Sequence, residues 1–133
     1  MIQRTQSIYL LLAAIAMALV SFKVPVWSLN EELTFALDDT KMFILTFTAF
    51  MFSGLTIFLF NNRNLQMKLI RISILMLIVI GVRLALLLGN DEFVFTLNIY
   101  CIALLVSSFI ALIMAYKGVK KDDDLVRSVD RIR

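Results

Sequence analysis

Four long apolar runs constrain this chain more than anything else in it: roughly residues 7–24, 42–60, 69–88 and 93–116, from Ser7 to Tyr116. A helix needs about 20 predominantly apolar residues to cross a hydrocarbon core of about 30 Å. Backbone amides in that core must be satisfied within one segment or in a closed barrel, and these runs lack the alternation of barrel strands. The expected fold is all-α, a polytopic membrane protein built as a four-transmembrane-helix antiparallel bundle. Composition agrees: 61% of residues are hydrophobic and only 17% charged, with a mean hydropathy of +0.91, outside the soluble range. A signal peptide cleaved near Ala16-Met17-Ala18 is the competing reading of the first run, disfavoured because the apolar stretch continues to Phe22.

The connections set topology. NNRNLQMK between the second and third spans and GNDE between the third and fourth are short, so consecutive helices are antiparallel neighbours. Only PVWSLNEELTFALDDTK has room for structure of its own, and its alternating Leu33, Phe35 and Leu37 predict a short extended piece with one apolar face. Lys and Arg near the span ends set orientation. Arg4, Arg63, Lys68, Arg71, Lys117, Lys120, Lys121, Arg127, Arg131 and Arg133 fall on one side. The other side has Lys23 and Lys41 among Glu31, Glu32, Asp38, Asp39, Asp91 and Glu92. Both termini are therefore expected in the cytoplasm.

Helices in lipid associate through small residues that let backbones approach. Ala103, Ser107, Ala111 and Ala115 in the fourth span, Ala14, Ala18 and Ser21 in the first, and Thr46, Ala49, Ser53 and Thr56 in the second are expected to face inward. The third span, mostly Leu and Ile, is expected to be the most lipid-exposed. Phe43, Phe47 and Phe50 read as packing, and Trp27, Tyr9 and Tyr116 as interfacial anchors.

Chemistry is sparse. The chain has no His, one Cys (Cys101, inside a span) and four Gly with no phosphate-cradling loop. The usual nucleophile, metal and nucleotide arrangements therefore cannot be assembled, and no enzyme activity, cofactor, metal or nucleic-acid partner is expected. No Asp or Glu falls within a span, which disfavours a proton relay. Arg83 is the one ionisable residue well inside a span, about 7.5 Å from its end at 1.5 Å per residue. It is expected to snorkel outward, to meet Asn98, Asp91 or Glu92, or to form an anion or headgroup contact together with Asn98.

The chain closes with KKDDDLVRSVDRIR. Leu125, Val126, Val129 and Ile132 form one apolar stripe at helical spacing. Asp122, Asp123 and Asp124 stand at its amino-terminal end and Arg131 and Arg133 at the other, the favourable sense for a helix dipole. Residues 117–133 are thus expected as a short cytoplasmic amphipathic helix beyond a transmembrane domain of residues 1–116. Such a helix is marginal alone and needs a docking surface.

The opening MIQRTQSIYLLLAAIA and this closing segment, with four spans between, resemble a family of small integral membrane proteins of Bacteroidota, domain of unknown function 4293. Its signature maps onto Gln3, Arg4 and Gln6 at the start and Leu125, Val126, Arg127, Ser128, Asp130, Arg131 and Arg133 at the end. The resemblance implies an inner-membrane protein of a two-membrane bacterium and brings no activity with it. The expectation is a non-enzymatic accessory or structural subunit of a larger membrane complex. Its partners would be the lipid bilayer and other membrane subunits, docked through the two signature segments. The alternative is a small transporter or lipid- or anion-handling protein using the Arg83 region.

Overall fold

A computed structural model describes residues 2–29, 32–59, 62–88 and 95–130. Four helices dominate it: α1 (Ile2–Phe22), α2 (Thr40–Phe58), α3 (Arg63–Leu88) and α4 (Ile99–Asp130). Each is long and apolar enough to cross a membrane, so the chain has the build of a multi-pass membrane protein. They form a ring in which α1 packs on α2 and α4, and α3 closes the circuit between α2 and α4.

The helices start where their first residues can be capped. Asp39 precedes α2, and its Oδ1 accepts from the Lys41 and Met42 amides at 3.0 and 3.4 Å, satisfying donors that the first turn leaves free. Asn62 and Asn98 do the same for α3 and α4 through Leu65 and Tyr100. α3 therefore begins at Arg63, so most of the basic second connection is its first turns. α4 has 32 residues, about 48 Å at 1.5 Å rise, far longer than a span.

Three strands qualify the all-helical expectation. β1 (Pro25–Leu29), β2 (Glu32–Phe35) and β3 (Phe95–Leu97) form an antiparallel sheet in the order β2-β1-β3. The extended piece expected in the first connection is β2. Register shifts between Pro25 and Trp27, and successive residues Val26 and Trp27 are both buried, which strict alternation would not allow. Trp27 is thus part of the core beneath the sheet and not an exposed interfacial anchor. The sheet closes one end of the bundle, tied to α4 by the Asn98 amide donating to the Val26 carbonyl at 3.1 Å. That end is called the sheet end below, and the opposite one the tail end.

Small residues line the centre, with two corrections. α2 buries Thr46, Ala49, Ser53 and Thr56, and α1 buries Ala13, Ala14, Ala16 and Ser21. On α4, Ala103 is exposed, and the inward face runs through Cys101, Ser108, Ala111, Ala115 and Val119. Steps of four residues advance about 40° around a helix with 3.6 residues per turn, so a strict four-residue ridge winds off any face. Nor does α3 stand out as the most exposed helix, being no less buried than α2 or α4. α1 has 44% of its span buried and the other three have 28% each.

Core hydroxyls are satisfied within their own helices. Thr46, Thr56, Ser73 and Ser108 donate to carbonyls three or four residues back, as hydroxyls in helices do. Ser53 Oγ, fully buried, has no partner. Larger side chains, Leu10, Met17, Met42, Ile70, Ile80 and Leu112, fill the remaining space.

Candidate functional site

Polar groups gather at the two ends of the bundle. At the sheet end, α3 places Arg83 against the start of α2, where Nη2 forms an ion pair with Asp39 Oδ2. The same carboxylate caps α2 through Oδ1. Partial burial pushes the Asp39 pKa up, but Arg83 and the two capping amides outweigh it and hold the group below its ordinary value. Asp39 is not the partner expected for Arg83. Asn98 instead caps α4, and Asp91 and Glu92 lie outside the described residues. The pairing was hidden by sequence distance, although Asp39 stands just before α2 and three residues before its apolar run, where an N-cap acid is itself legible.

Below Arg83, a groove of about 320 Å³ opens between α2 and α3, lined by Leu45, Val79, Val82, Leu86 and Leu87. Arg83 is its one charged wall, and Arg83 Nε is buried without a partner. The groove is apolar enough for a hydrocarbon chain. Its only cation is already paired.

At the tail end, Gln6 on α1 donates through Nε2 to Asp122 Oδ2 on α4 at 2.7 Å, both residues being buried. Arg63 on α3 adds a bond to the Asp122 carbonyl at 3.3 Å, so three helices meet at one residue. Gly118, one turn earlier on α4, makes room for this: a Cβ there would stand 2.7 Å from Gln6 Cγ. Gln66 donates to the Thr56 carbonyl at 3.4 Å and closes the α2–α3 corner. The clasp joins Gln6 of the opening signature segment to Asp122, three residues before the closing one.

Beyond the clasp, the expected tail helix is not a separate element. α4 continues unbroken to Asp130, because the run contains no proline and its one glycine is seated against Gln6. Leu125 and Val126 are 50% and 44% exposed. Leu125 belongs to a face formed with Lys117, Lys120, Lys121, Asp124 and Ser128, the last donating to the Leu125 carbonyl at 2.7 Å. Arg131 and Arg133 lie outside the described residues, and for Arg4, Arg127 and Asp130 the backbone alone is described.

No group of three or more His, Cys, Asp or Glu able to hold a metal occurs among the described residues. Against known families, the sequence model described as domain of unknown function (DUF4293) matches residues 2–132. The chain belongs to the DUF4293 family. The DUF4293 match spans all four helices and the Gln6–Asp122 clasp. Neither a curated protein nor a solved structure matches it.

Proposed function

We propose that the chain is a non-enzymatic accessory or structural subunit of a larger membrane complex, docking through the tail end of α4. The observation that supports this most is the continuation of α4 for two turns past the Gln6–Asp122 clasp, with Leu125 and Val126 exposed. A helix that is marginal alone is here extended from a rigid bundle, so little ordering entropy remains to be lost on docking. Mixed charge around the stripe favours a protein partner, since a lipid-binding helix would be more uniformly basic. The basic tail end favours a cytoplasmic location for both termini, and the resemblance favours the inner membrane of a two-membrane bacterium.

Purification in mild detergent tests the reading. A defined companion chain should co-purify, and Leu125→Asp with Val126→Asp should release it while the four-helix domain melts unchanged. A chain that elutes alone whatever its tail would sink the proposal.

A second reading, lipid or anion handling near Arg83, is favoured by the apolar groove with a guanidinium in its wall. It requires Arg83→Ala to abolish transport or lipid exchange with protein abundance preserved. The Asp39 ion pair favours the structural role, in which abundance or melting temperature falls instead.

A further inference from the structure

We propose that the outer seam of α3 and α4 at the tail end binds the headgroup of an anionic phospholipid, held by Lys68, Arg71 and Lys120. Arg71 carries the argument. Its guanidinium lies over the Tyr116 ring of α4, 5.6 Å from the centroid, within cation–π range. The stack fixes a long side chain at the helix seam while its charge stays unneutralised. Among the described residues no acidic partner stands within ion-pair distance of Arg71 or Lys68, and Lys120 shares its face of α4 with Asp124.

The two lysines follow from helix geometry. Lys68 is three residues before Arg71 on α3 and Lys120 four after Tyr116 on α4, spacings that make side chains neighbours. All three cations are exposed. Toward the middle of the bundle the outer face of α3 turns apolar. Four residues on from Lys68 and Arg71 stand Ile72 and Leu75, 37% and 59% exposed. Cations at one end of a lipid-facing seam and exposed aliphatic side chains beyond them match a phosphate head and its acyl chains. A soluble anion would have no use for Ile72 and Leu75. The sheet end has Lys23 and Lys41 on its helix ends but no comparable set, and Arg83 there is neutralised by Asp39. Tyr116 is a positioning residue, since it holds Arg71 and meets no headgroup charge itself.

Native mass spectrometry of the full chain, released from micelles containing equal phosphatidylglycerol and phosphatidylcholine, tests this. The phosphatidylglycerol adduct should dominate, and Arg71→Ala combined with Lys120→Ala should lower its retention roughly tenfold, the scale of one charge-assisted contact. Tyr116→Leu should lower retention with every charge kept, and Lys41→Ala at the sheet end should leave it unchanged. Lys68→Gln and Lys120→Gln, at exposed positions, keep the experiment decisive if Arg71→Ala does not fold. Equal retention of the two lipids, indifference to the charge substitutions, or displacement of phosphatidylglycerol by millimolar inorganic phosphate would overturn the site.

Discussion

At Asp39 one carboxylate has two functions, capping α2 with one oxygen and meeting Arg83 with the other. Asp39→Ala should therefore cost more than Arg83→Ala. The first loses an N-cap, typically about 0.5–2 kcal/mol, and leaves a part-buried guanidinium unpaired. The second leaves Asp39 still held by two amides. Thermal melts of the two variants in one detergent decide the order. Because the folded carboxyl titrates below its ordinary value of 3.8, its contribution is present above that value and is lost as pH falls through the folded pKa. Melting temperature should accordingly drop at strongly acid pH in the wild type, and the drop should shrink in Asp39→Asn. At Gly118 the expectation runs against helix propensity. Alanine is better than glycine in a helix by about 0.8–1.0 kcal/mol, yet at Gly118 its Cβ would displace Gln6 from Asp122. Gly118→Ala should gain little or lose stability in the wild type and should stabilise once Gln6→Ala has vacated the space. A double-mutant cycle with no coupling would refute the clasp.

The helices were legible as elements because lipid removes alternatives: a long apolar run has to be a helix, and all four are. Their ends were less so. The second connection read as a loop by polarity, but Asn62 caps a helix that takes up Arg63 to Lys68, and polarity does not distinguish a loop from a wetted helix turn. The sheet was half visible, since Leu33 and Phe35 alternate in β2. β3, three residues long, is fixed by pairing with β1 across most of the chain's length, and no local pattern carries such a pairing. The candidate sites divide in the same way. Arg83 stood out as a charge in grease, but its partner came from a loop; the tail stripe stood out as helical, but its fusion to α4 depends on how Gly118 meets Gln6. Gly81 on α3 offers a contrast within one element type. Nothing lies within 4 Å of a Cβ built there, so Gly81→Ala should raise stability by up to about 1 kcal/mol, read as a higher melting temperature in detergent.

For the whole molecule, four antiparallel spans put both ends of the chain on one face of the membrane, and the Gln6–Asp122 bond joins those ends directly. The charge distribution makes a prediction about which face. Arg63, Lys68, Arg71, Lys117, Lys120 and Lys121 gather at the tail end, against Lys23 and Lys41 at the sheet end, and by the positive-inside rule the richer end is expected on the cytoplasmic side. Cys101 is buried at 1% exposure, so it should be silent to bulky thiol reagents, and Cys101→Ser provides a clean background for single cysteines. Leu33 on β2 is 59% exposed at the sheet end, and Ser128 is exposed at the tail end. In sealed membrane vesicles of known sidedness with the non-cytoplasmic face outward, an impermeant maleimide should label Leu33→Cys and spare Ser128→Cys until the membrane is opened. The reverse pattern would invert the topology. It would also move the proposed α4 docking surface to the opposite compartment, where any partner would have to be sought.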